Sequence, residues 1–227
     1  IFRDNALKLS KKPFFINLKR DLIMANMDFV PRSYISSMIL ATVIFLAGGF
    51  LLFVFFMFFN VGTDFPIITT VNENIFARFI KVFWIIILVP LITFFGMYFY
   101  PSAEKNYLQN KINQELPFAT IHMSAISQSM IEPSKIFSII ISTGEYPFLD
   151  SEFKKIINQI NVYGYDLVSA LRNVAFYSPN KKLAELLNGL ATTINSGGNL
   201  PQFFDKRSQS LLFDYRIERE KNTKSAE

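Results

Sequence analysis

The sequence predicts an all-α protein in which a transmembrane helical hairpin leads into a cytoplasmic six-helix bundle. Two observations carry this. Ser33 to Tyr100 contains two long stretches with no charged side chain, and after Pro101 apolar residues recur at helical spacing six times, with no strand-like alternation. The composition agrees, since 51% of the 227 residues are hydrophobic, 26 are Phe and only 18% are charged, a departure from the soluble average towards a membrane protein.

The first span is read at residues 35–59. Ile35 to Phe59 is dominated by Ile, Leu, Val, Phe, Met and Ala, and at 1.5 Å per residue it would make roughly 37 Å of helix, more than the roughly 30 Å hydrocarbon core. The second is read at residues 82–100, roughly 28 Å long, with Lys81 before it and Glu104 and Lys105 after it. Tyr34, Trp84, Tyr98 and Tyr100 stand near the ends of these runs, where amphipathic rings settle at headgroup level. Gly48, Gly49 and Gly96 are candidate membrane helix contacts, because a missing side chain admits a neighbouring helix. Pro90 is expected to kink the second span. Simple tolerance of Gly and Pro in lipid accounts for the same residues.

Basic residues set the expected orientation. Residues 1–32 hold seven (Arg3, Lys8, Lys11, Lys12, Lys19, Arg20, Arg32), the connecting loop 60–81 holds Arg78 and Lys81, and residues 101–227 hold fourteen. The positive-inside rule then puts both ends in the cytoplasm and the loop outside, in a multi-pass protein of the cell membrane. The expected organisation is an N-terminal cytoplasmic segment 1–32, a hairpin 33–100 and a cytoplasmic helical domain 101–227. A cleaved signal peptide is disfavoured, because the first apolar run is too long and more than thirty residues precede it.

Within the helical domain the stripes are Phe118, Ile121, Ala125 and Ile126; Ile136 to Ile141; Phe153, Ile156, Ile157 and Ile160; Leu167, Ala170, Leu171, Val174 and Ala175; Leu183 to Ile194; and Leu200, Phe203, Phe204, Leu211 and Tyr215. Pro133 and Pro179 suit first helical positions, with Ser178 as N-cap of the latter helix, and Asp166 and Asn199 suit N-caps. Gly164 and Gly197 stand where a left-handed residue would end a helix. The pattern Gly, any residue, Asp or Asn, Leu occurs at both glycines, 33 residues apart.

Zero cysteines and one histidine, His122, remove disulfides, thiolate sites and paired-histidine zinc sites. His122 reads as a core or interface residue with one hydrogen bond. Glu104, Glu115, Glu132 and Asp150 lack the spacing of a calcium loop, and Ser196-Gly197-Gly198 lacks the Gly-Lys-Ser or Gly-Lys-Thr ending of a phosphate loop. No catalytic residue, cofactor or metal is expected. The net charge of +5 comes without a basic stripe interleaved with aromatics, so nucleic acid is not an expected partner.

Glu115-Leu116-Pro117-Phe118-Ala119, Ser142-Thr143-Gly144-Glu145-Tyr146-Pro147, Gly164-Tyr165-Asp166-Leu167, Tyr177-Ser178-Pro179 and above all Ser196-Gly197-Gly198-Asn199-Leu200 occur in an order that resembles the F domain of type II secretion systems. The resemblance covers roughly residues 20 to 215 and is closest to the archaeal branch, the membrane platform proteins of type IV pili and the archaellum. It implies a non-enzymatic scaffold in the lipid bilayer that docks a hexameric assembly ATPase, moves pilin-like subunits into a filament, and works as a homodimer. Members commonly carry two F domains, whereas this chain shows one. The basic residues Arg172, Lys181, Lys182, Lys206 and Arg207 are the candidate ATPase dock, since Lys181 and Lys182 lie in the first turn of a helix, where the macrodipole disfavours cations. A solvated basic face explains them as well. The alternative function is a membrane-anchored signalling adaptor or sensor, which the short outside loop disfavours.

Overall fold

The structure is a computed structural model that describes residues 13–27, 29–61, 68–70 and 75–224. Among these residues run eight helices and one short ladder: α1 (Pro13–Met24), α2 (Pro31–Phe58), β1 (Phe59–Val61), β2 (Ile68–Thr70), α3 (Ile75–Ser127), α4 (Pro133–Thr143), α5 (Pro147–Asn161), α6 (Leu167–Tyr177), α7 (Lys181–Asn195) and α8 (Leu200–Lys224). The chain divides into two compact units, Ile1–Ala103 and Glu104–Glu227, and α3 contributes residues to both.

In the first unit, α2 and α3 are long and apolar enough to cross a membrane, and in their most apolar stretches only 6% and 0% of residues are buried inside the protein. A core helix of a soluble protein would be covered; here Leu51, Phe58, Trp84 and Ile92 are each at least 60% exposed, which is the surface a bilayer solvates. Phe15, Leu18 and Leu22 of α1 pack on Tyr34, Ile35 and Met38 of α2, with Phe94, Met97 and Tyr98 of α3 at the edge of the cluster.

The second helix starts earlier than expected, at Ile75 instead of Val82. Arg78 and Lys81 interrupt the apolar run without interrupting the helix, because both are good helix formers. The helix assignment also continues through Pro90, Pro101 and Pro117. Next to it, residues of the expected loop form an antiparallel ladder pairing Phe59 with Thr70, Asn60 with Thr69 and Val61 with Ile68. The loop's Asp64, Asn72, Glu73 and Asn74 lie outside the described residues, as do Arg3, Lys8, Lys11 and Lys12.

The second unit holds six helices, counting the end of α3, around one core. Most of the expected stripes are buried: Ile136, Phe137 and Ile140 on α4; Phe153 and Ile156 on α5; Ala170, Leu171, Val174 and Ala175 on α6; Leu183, Leu186, Leu187, Leu190 and Ala191 on α7; Phe204 and Leu211 on α8. The end of α3 departs from expectation. Its buried face is Leu108, Ile112, Leu116, Ala119 and Met123, while Phe118 and Ile121 are exposed. This helix carries two apolar stripes, and the one that reaches back nearly three further turns, to Leu108, faces the core. Phe118 instead meets the Tyr215 ring edge to face, with centroids 5.6 Å apart.

Candidate functional site

The turns of the helical unit are built from side chains that fill the open ends of helices. Asp166 accepts from the Ser169 N–H at 3.0 Å and Asn199 from the Gln202 N–H at 2.9 Å, so both are N-caps as expected. Ser178 is not. The cap of α7 is Asn180, whose Oδ1 accepts from the Leu183 N–H at 2.9 Å, and the helix begins at Lys181 rather than Pro179. Ser178 ends α6 instead, its Oγ accepting from the Asn180 N–H at 3.2 Å. Asn180 is buried and is used at both ends: its Nδ2 donates to the Gln109 carbonyl at 2.9 Å and to Asn113 Oδ1 at 2.7 Å. A short polar residue two places after Ser178 was available to sequence reasoning; its second role, towards α3, was not.

Ser196-Gly197-Gly198-Asn199-Leu200 reverses the chain between α7 and α8. Gly197 has φ +66°, a left-handed value that only glycine adopts without strain. The Gly198 N–H closes on the Thr193 carbonyl at 2.8 Å, the six-to-one bond of a Schellman stop. A Cβ on Gly198 would stand 2.9 Å from Thr193 Cγ2, so the second glycine is required by space and the first by backbone angle. Gly164, with φ +71°, ends α5 in the same conformation two residues before the Asp166 cap.

Glu115 has a role that its sequence position does not reveal. Its carboxylate accepts from the Leu149 N–H at 3.0 Å and the Phe148 N–H at 3.2 Å, capping α5 from another helix. Burial pushes its pKa up, the two backbone donors pull it down, and the Asp150 charge pushes it up again. Burial also raises Asp150 against the pull of Lys154. Among the described residues no three acidic or histidine side chains gather as a metal site. His122 is half exposed, with Nδ1 3.0 Å from the Tyr146 hydroxyl and 3.5 Å from Glu145 Oε2.

The five basic residues do not share one situation. Lys182 faces Glu218 Oε2 at 3.6 Å and Asp214 Oδ2 at 3.9 Å, and Arg207 faces Glu185 Oε2 at 3.4 Å. Both therefore fasten α7 to α8, and acidic partners for them exist within the chain. Arg172, Lys181 and Lys206 are exposed. Between α3 and α8 a recess of about 360 Å³ is lined by Asn110, Asn113, Gln114, Tyr215, Glu218 and Arg219.

In the hairpin, Gly49 is already occupied: a Cβ there would meet Val89 Cβ at 3.4 Å and the Ile85 carbonyl at 3.6 Å, so this glycine lets α2 and α3 approach. Gly48 and Gly96 face open space, Gly96 beside a recess of about 340 Å³ lined also by Met27, Phe29, Tyr34, Met97 and Tyr100. At the far end of α2, Arg78 donates Nε–H to the Phe56 carbonyl and Nη2–H to the Phe59 carbonyl, each at 2.9 Å.

With these caps and turns in view, the comparison with known proteins is direct. Residues 119–227 match the family described as "Type II secretion system (T2SS), protein F". These residues are a T2SS protein F domain. The match thus begins inside α3 and takes in every turn of the helical unit described above, but not Glu115 or the α3 partners of Asn180. Three curated relatives come from Methanocaldococcus jannaschii. "Uncharacterized protein MJ1286" is 24% identical over 52% of this chain and 20% of its own; "Flagella accessory protein J" is 25% identical over 59% of this chain and 24% of its own. "Uncharacterized protein MJ0780" is 26% identical over 50% of this chain and 34% of its own. The chain thus spans between a fifth and a third of the length of these relatives. No solved structure gives a significant match. The F domain and the two apolar helices make this a membrane protein.

Proposed function

We propose that the chain is a non-enzymatic platform in the cell membrane for an archaeal pilus, an archaellum or a type II-like secretion machine. In this reading the F domain docks a hexameric assembly ATPase and passes its motion to pilin-like subunits entering the filament, and the platform is a homodimer. Both spans cross the bilayer, with residues 1–32 and 101–227 in the cytoplasm. The observation that carries the reading is the F domain at residues 119–227 in a chain with two lipid-facing helices. A relative named for a flagella accessory role supports it.

Arg172, Lys181 and Lys206 are the members of the candidate dock most open to an acidic partner, since Lys182 and Arg207 already face Asp214, Glu218 and Glu185. The test is co-purification of the detergent-solubilised chain with the assembly ATPase encoded by the same organism, at low and high salt. Salt-sensitive binding with a change in ATPase rate supports an electrostatic dock; absence of binding at every salt concentration overturns the docking role.

A further inference from the structure

We infer that α1 lies in the surface of the bilayer and binds anionic lipid headgroups through Lys19 and Arg20. The inference stands on the first unit alone and does not depend on the platform reading. Phe15, Leu18 and Leu22 bury one face of α1 to between 1% and 5% exposure. What they pack on are Tyr34, Ile35 and Met38, the first turns of α2, and Phe94, Met97 and Tyr98, the end of the apolar run of α3. These are the ends of the two spans on one side of the hairpin, and the Tyr34 hydroxyl ties them by donating to the Met97 carbonyl at 2.8 Å. α1 is therefore held at the level where both spans leave the hydrocarbon.

The other face of α1 exposes Lys19 and Arg20 between Ile16, at 57%, and Ile23, at 37%. Two cations flanked by large apolar side chains, on a helix fixed at the membrane boundary, are the pattern of a helix lying in the interface plane, with apolar groups in the acyl boundary and cations among the headgroups. Charge complementarity selects anionic lipid: residues 1–32 hold seven basic side chains against Asp4, Asp21 and Asp28. Of the acids, Asp21 shares α1 and is half-buried.

The test places the full chain in nanodiscs of phosphatidylcholine, with or without phosphatidylglycerol, and follows backbone hydrogen exchange of α1 by mass spectrometry. The expected result is exchange slowed by up to about thirtyfold by phosphatidylglycerol, the order that two basic side chains supply at an anionic surface. Exchange in Leu167–Asn195 should be unchanged. Raised salt should remove the slowing in the wild-type chain, and K19Q/R20Q should remove it with the rest of the chain unperturbed. Equal exchange in the two lipids, or slowing that survives in K19Q/R20Q, would overturn the inference. Inorganic phosphate that reproduces the slowing in phosphatidylcholine discs would overturn it in favour of a free-anion site.

Discussion

The side-chain amide of Asn180 donates to Oδ1 of Asn113 at 2.7 Å, joining residues 67 positions apart. The same side chain caps α7, so one buried amide fixes both the start of a helix and the helix it rests on. Asn180→Ala removes the cap and leaves half-buried acceptors on α3 without their donor. It is expected to cost about 1–3 kcal/mol, read as a lowered unfolding midpoint. Asn180→Asp keeps the cap oxygen and loses the donor, and is expected to rescue only part of that loss.

Gly198→Ala forces a Cβ to within 2.9 Å of Thr193 Cγ2. The expected cost is about 1–3 kcal/mol, as for other overpacked sites. Thr193→Ser removes the opposing methyl and keeps the hydroxyl that bonds the Gly189 carbonyl. The double variant should therefore recover part of the loss in a double-mutant cycle of thermal stability.

A change of pH acts through Glu115 and Asp150. Both have folded pKa values above their ordinary 4.5 and 3.8, so the folded state binds more protons than the unfolded one. Their stabilising contribution is full below those ordinary values and is lost as pH rises through the raised ones. Asp166, lowered by the Ser169 bonds, works in the opposite sense, stabilising above 3.8 and losing that as pH falls. Asp150→Asn is expected to flatten the downward part of the stability profile as pH rises above the ordinary value of 3.8. A denaturation midpoint followed across that rise checks it.

Lys182→Glu places a carboxylate beside Asp214 and Glu218, whereas Lys181→Glu meets no such pair among the described residues. The first is expected to lower stability by up to about 1 kcal/mol, whereas the second, which puts an anion in the first turn of α7, is expected to leave stability unchanged or raise it by up to about 0.5 kcal/mol, with both effects shrinking at high salt. The comparison by thermal unfolding separates a seam within the F domain from a surface reserved for a partner.

The caps show how far local chemistry reaches. Asp166, Asn199, Gly164 and Gly197 were legible because a cap or a left-handed stop needs only its own few neighbours, and all four do what the spacing predicts. The stripes on α4 to α8 were legible because each of those helices has one apolar face. Phe118 and Ile121 were misread because the end of α3 has two, and periodicity cannot say which faces a core. Asn180 outcompeted Ser178 because its amide also serves α3, and Glu115 caps a helix 33 residues away; both depend on contacts that no local window contains. Within the candidate dock, the ion pairs of Lys182 and Arg207 were hidden for the same reason.

Arg78 returns to the end of α2 across only 22 and 19 residues to reach Phe56 and Phe59. A helix ends with carbonyls that have no partner inside it, and here the cation that serves the end of α2 arrives on the very next helix. The contact needs nothing C-terminal to Arg78. It joins the start of the second long helix to the end of the first, so the turn between them is held by a side chain as well as by the ladder of Phe59–Val61 with Ile68–Thr70.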